Sequence, residues 1–98
     1  MRKYEAIAAL EQHAGAVRAL GATSLYLFGS TVRNAASEDS DLDLFVDYDS
    51  EGLFSVVELV GIKQLLERSL GTPVDVTTRD SLDLLLREEI EVSAERIF

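Results

Sequence analysis

Residues 28–45 read FGSTVRNAASEDSDLDLF, from Phe28 to Phe45. The stretch opens on a small-residue turn, Gly29-Ser30, and closes on a segment that alternates as a strand does. In that segment Leu42, Leu44 and Val46 face one way, and Asp41, Asp43, Phe45 and Asp47 face the other. Two carboxylates two residues apart on a strand share a face, with Cβ atoms roughly 6–7 Å apart, and repel each other. A cation between them relieves the repulsion, and hard oxygen donors suit Mg²⁺ or Mn²⁺.

The turn has its own chemistry. Backbone N–H groups at the start of a helix cradle phosphate, Gly29 allows close approach, and the Ser30 hydroxyl adds a donor. Arg33, one turn further, reaches the same anion. Gly-Ser alone is an ordinary turn in most proteins, and Asp-x-Asp alone is usually a solvated strand face. Joined by a short helix and loop, they make a triphosphate site. Asp75, between Val74 and Val76, is the candidate third carboxylate, as general base for an attacking hydroxyl, as metal ligand, or as both.

Working outward, residues 3–20 carry Ile7, Leu10, Ala14 and Val17 at helical spacing and predict one helix ending at Gly21. Ser24 to Phe28 predicts a buried strand, and residues 30–36 a brief helix. Leu53 to Leu70 predicts an apolar helix closed by Gly71, PVDVTT a third strand, and Asp80 or Ser81 the cap of a last helix reaching Ile90. The tail VSAERIF fits no single element. The expected order is α-β-α-β-α-β-α. It gives an α/β (α+β) fold, one small mixed sheet packed with helices, as a single domain over residues 1–98.

The bulk composition limits the function. The 98 residues include no cysteine, so thiolate chemistry and disulfides are excluded. The net charge of −9 repels nucleic-acid backbones, so no direct DNA binding is expected. No apolar run approaches membrane-spanning length and Glu5 interrupts the N-terminal segment, which predicts a cytoplasmic protein without membrane contact. Asp47 to Glu58 nearly matches a calcium loop, but a strand rather than a helix precedes it. His13 is read as a solvated helix residue. The leucines of 82–86 and the apolar stripe of 53–70 are read as core. Lys63, Arg68, Arg79 and Arg87 are read as ordinary surface charge.

GSTVRNAASEDSDLD resembles the signature of the minimal nucleotidyltransferases (MNT), a branch of the DNA polymerase β superfamily. That pattern runs Gly-Ser, Arg-Gly after two residues, Ala, then Ser-Asp-x-Asp. Gly29, Ser30, Arg33, Ala36, Ser40, Asp41 and Asp43 match it, and Asp75 matches the family's third acid on a later strand. Asn34 stands where the family has Gly, and Asn is the least costly replacement if that position needs φ > 0. The resemblance implies the polymerase β-like fold. It implies that Asp41, Asp43 and Asp75 are catalytic and bind Mg²⁺, and that Gly29, Ser30, Arg33 and Ser40 bind the nucleotide, ATP. It also implies an antitoxin that transfers AMP from ATP to a tyrosine of a HEPN-domain toxin. The alternative, which only Asn34 favours, is a catalytically inactive antitoxin that neutralises by binding. The chain's small size, with no second domain to hold an acceptor, fits a protein acceptor that brings its own surface.

Overall fold

The computed structural model describes residues 1–33 and 41–98; the positions Asn34, Ala36 and Ser40, and most of the brief helix expected over 30–36, fall outside them. Its elements are α1 (Lys3–Gln12), α2 (Ala14–Ala19), β1 (Ala22–Phe28), β2 (Leu42–Tyr48), α3 (Val56–Leu70), β3 (Val74–Thr78), α4 (Arg87–Ser93) and β4 (Glu95–Arg96), with a 3-10 turn at Arg79–Ser81. The sheet is mixed, in the order β3-β2-β1-β4. β1 is antiparallel to β2 and β4, and β2 is parallel to β3. The expected α/β class holds. Among the described residues, no helix is long and apolar enough to cross a membrane.

The period-2 pattern decides which side of the sheet is the core. Leu25 and Leu27 of β1, Leu42, Leu44 and Val46 of β2, and Val74 and Val76 of β3 are buried with Leu10 and Val17 of the N-terminal helices and Ile62 and Leu66 of α3. Burying each such side chain stabilises the fold by about 1.5–3 kcal/mol relative to leaving it exposed.

α3 has well-made ends. Ser55 is its N-cap: its hydroxyl accepts the Val57 N–H at 3.3 Å, and the Glu58 carboxylate accepts the Ser55 N–H at 3.0 Å. Gly71 ends the helix in the left-handed conformation at φ 68°. Beyond it, the Glu67 carboxylate accepts the Val74 N–H at 3.0 Å and an Lys63 ammonium hydrogen at 3.2 Å. These contacts, the Val74 N–H first, hold Glu67 below the usual carboxylate range. The Glu67–Val74 bond fixes the first residue of β3, immediately before Asp75. We expect Ser55→Ala to cost about 1 kcal/mol, read as a lower denaturation midpoint at unchanged slope.

Several sequence expectations are corrected here. The helix expected over 3–20 breaks at His13 (φ −103°, ψ 7°), which is half-buried between α1 and α2 rather than solvated on one continuous helix. Gly15, just past the break, disfavours continuation, and the bend brings both Leu10 and Val17 into the core. The last helix does not run from Asp80 to Ile90: a 3-10 turn and a second turn precede α4, which starts at Arg87. Of the Leu82–Leu86 run only Leu82 is core; Leu84 and Leu85 are 81% and 93% exposed. At the start of the 53–70 stripe, Leu53, Val56 and Val57 are exposed as well. The tail forms β4, with Tyr26 opposite Arg96 and Leu27 opposite Glu95.

Candidate active site

The second face of the sheet carries the acids. Phe45, which the alternation places on the face of Asp41, Asp43 and Asp47, is fully buried there. Its ring stacks on Tyr26 (4.7 Å between centroids, 8° between planes) and tilts against Phe28 (5.7 Å). The Arg79 guanidinium closes over both Tyr26 and Phe45, 4.9 Å from each centroid. Its Nε and Nη2 donate to the two oxygens of Asp47 at 2.7 and 2.9 Å, and Nη1 donates to Glu91 of α4. Arg79 is therefore not ordinary surface charge. It covers the aromatic strip and ties β2 to α4, and its pKa is driven upward by these carboxylates, Asp47 first. The signal that finds it is tertiary, since Asp47 lies 32 residues away. We expect Arg79→Ala to destabilise by about 2 kcal/mol, because it removes a paired fork and a cation–π cover together; a melt indistinguishable from wild type would refute this.

Acids of the stretch that nearly matches a calcium loop are likewise occupied. Asp47 pairs with Arg79, Asp49 accepts the Glu51 N–H at 2.9 Å, and Glu58 belongs to the α3 capping box. None of the three is left for a calcium loop.

The candidate site lies where β1 ends and β2 and β3 begin. Asp43 of β2 is paired in register with Phe28 of β1 on one side and Asp75 of β3 on the other. Asp41 is exposed just before β2, and the Leu42 N–H donates to the Pro73 carbonyl at 3.0 Å, joining the two strand starts. Gly29 follows β1 with φ 81°, and a Cβ placed on it would run into the Asp43 carboxylate. The Arg33 N–H donates to the Gly29 carbonyl at 3.4 Å, so Gly29 to Arg33 makes one helical turn with half-buried Ser30 inside it. Gly29, Arg33, Asp41, Asp43 and Asp75 are thus brought to one end of the sheet.

The electrostatics follow from this crowding. Burial pushes the Asp43 carboxyl above the usual aspartate range; Asp75 and then Asp41 push it the same way, and Arg33 opposes them. Among the described residues, no three acid or imidazole side chains close around a metal position. The donor set instead suits a Mg²⁺-like ion, which takes one or two carboxylates and completes its shell with phosphate oxygens and water. Beside the turn, a cleft of about 300 Å³ is lined by Phe28, Gly29 and Arg33 on one wall and Leu86, Glu89, Ile90 and Ser93 on the other. The α4 wall was missed in the sequence, where α4 was expected to be part of a longer helix with no role in the site.

Known proteins resemble this chain in sequence and fold. A family model described as a nucleotidyltransferase domain matches residues 10–97. A Methanocaldococcus jannaschii protein, provisionally named protein adenylyltransferase MJ0435, is 44% identical over 64 residues, 65% of this chain and 67% of its own. Across the curated relatives it matches, the chain spans 58–67% of their length. A solved structure described as a provisionally assigned minimal nucleotidyltransferase superposes with a TM-score of 0.83 at 32% identity, covering 97% of this chain and 95% of that one. An MNT antitoxin in complex with a tri-AMPylated Shewanella oneidensis HEPN toxin shares the fold, with a TM-score of 0.63 at 19% identity over 90% of this chain and 68% of that one. The chain belongs to the nucleotidyltransferase domain family of enzymes and has the minimal nucleotidyltransferase fold.

Proposed function

We propose that this protein is a Mg²⁺-dependent adenylyltransferase that moves AMP from ATP to a hydroxyl, a tyrosine's, of a HEPN-type toxin, and so acts as its antitoxin. The observation that carries the reading is the convergence of the Gly29–Arg33 turn with Asp41, Asp43 and Asp75 at one end of the sheet. The adenylyltransferase name of the M. jannaschii relative supports AMP as the transferred group, and the toxin complex with the same fold supports the partner.

The residues divide the work by charge. The backbone N–H groups after Gly29, the Ser30 hydroxyl and Arg33 bind the triphosphate, with Ser40 as a further donor. Asp41, Asp43 and Asp75 would hold the cation, which when bound supplies charge neutralisation for ATP and its departing pyrophosphate. Mn²⁺ suits the same oxygens. Asp75, exposed at the rim of the acid set, takes the proton of the acceptor hydroxyl. The hydroxyl oxygen bonds to the α-phosphorus, the bond to the bridging oxygen breaks, and pyrophosphate leaves. With a net charge of −9, the protein needs that cation to approach a polyanionic nucleotide at all.

The test is α-labelled ATP with Mg²⁺ and lysate of the source cell, with Asp43→Asn as control. The expected result is a labelled HEPN-domain protein with the wild type only. If that toxin is present and stays unlabelled, transfer is excluded and neutralisation is by contact.

A further inference from the structure

The cleft has an apolar rim for which the fold has no use. After Leu82 enters the core, the chain turns outward and leaves Leu84 81%, Leu85 93% and Leu86 49% exposed. The turn is built rather than loose. The Asp83 carboxylate accepts the Leu85 N–H at 2.9 Å, and the Asp83 carbonyl accepts the Leu86 N–H at 3.0 Å. Leu86 also lines the cleft opposite Gly29 and Arg33, so the leucine turn is continuous with the place where transfer is proposed.

The charge around the turn is one-sided. Asp83 and Glu88 flank it, while the neighbouring cations Arg79 and Arg87 are already paired with carboxylates. A second copy of this chain would set like charges against each other here. The exposed valines at the start of α3 belong to the helix-covered side of the sheet and border a different groove, with Leu20 and Gln64.

We propose that the Leu84–Leu86 turn is the docking surface for the acceptor protein, through an apolar patch ringed by Lys and Arg that delivers the acceptor hydroxyl to the cleft. This rests on the transfer reading above for the acceptor's identity, but the surface is tested separately. An interface of this kind concentrates its energy in a few apolar anchors and uses charge for steering.

The test places a photoreactive benzoylphenylalanine at position 85 or, as control, at position 57, in the full chain in its source cell, and identifies products by mass spectrometry. The expected product joins position 85, and not 57, to the HEPN-domain protein. In parallel, purified L84S/L85S should raise KM for that protein about 100-fold while the melting shift produced by Mg²⁺ and an unreactive ATP analogue stays as in wild type. Both leucines are exposed, so the fold has little to lose. The surface is overturned if position 85 gives no product, joins a second copy of this chain, or is outdone by position 57, and equally if KM does not move. A position-85 product with an unlabelled toxin keeps the surface and removes the transfer reading. A labelled toxin without that product does the reverse.

Discussion

Asp43→Asn is expected to lower adenylyl transfer at least about 100-fold and, in the same molecule, to raise the stability of the nucleotide-free protein. The two effects have one cause. Asp43 is half-buried beside Asp75 and Asp41, and burial together with these like charges pushes its carboxyl above the ordinary aspartate value of 3.8. Between 3.8 and the raised folded-state value, the folded protein binds more protons than the unfolded chain, so stability falls as pH rises through that window. Above it, the whole penalty is present. The amide keeps the shape and removes the charge, so at neutral pH the gain should be about 0.5–1 kcal/mol, the scale of a partly exposed charge contact. The pH dependence assigned to Asp43 should vanish with it. Mg²⁺ with nucleotide should stabilise the wild type and lose most of that effect in the variant, since the substitution removes the acid that lies between Asp41 and Asp75. A variant less stable than wild type at pH 7 would mean that Asp43 is held by favourable contacts and not strained by its neighbours. Thermal melts at pH 4 and pH 7, with and without Mg²⁺ and nucleotide, distinguish these cases.

How far the site could be read from the sequence depends on the range of the interaction involved. Asp43 and Asp75 meet because β2 and β3 alternate in parallel register, and Asp41, two residues before Asp43 and just ahead of β2, lies near enough to act on it. Both are local patterns, and so are the Ser55 cap and the Gly71 stop. Arg79 was opaque because its meaning lies in Asp47, Glu91 and two aromatic rings contributed by three other elements. β4 was opaque because its two residues, Glu95 and Arg96, carry no strand pattern and are a strand only because β1 offers a free edge. The leucines of 84–86 were misread because a run of leucines looks like core wherever it occurs. Whether it is buried depends on where the chain turns, and here Asp83 turns it outward. The placement of the candidate site was legible where sequence spacing sets geometry, and illegible on its α4 wall, where only tertiary packing does.

Gly29→Ala should cost both stability and transfer, and its comparison with Gly71→Ala separates the two. Each glycine has a positive φ, 81° at Gly29 and 68° at Gly71, so an alanine at either pays about 1–2 kcal/mol of backbone strain. They differ in what the new methyl group meets. At Gly71 nothing lies within 4 Å, so the strain is the whole effect and the site is untouched. At Gly29 the methyl group is driven into the Asp43 carboxylate, closer than real Cβ atoms come to a neighbour. Either Asp43 rotates away, separating it from Asp75 and Asp41, or the turn shifts and takes its N–H groups and Arg33 with it. Both routes displace groups proposed to hold one triphosphate together, and a misplacement of about 1 Å costs on the order of 100-fold in rate. The expected pattern is therefore a loss of melting temperature in both variants, at least as large at Gly29 as at Gly71, with transfer reduced about 100-fold at Gly29 and unchanged at Gly71 once both are assayed well below their melting points. Equal activity in the two would mean that the contact between the turn and Asp43 is only packing, and that the triphosphate is bound elsewhere.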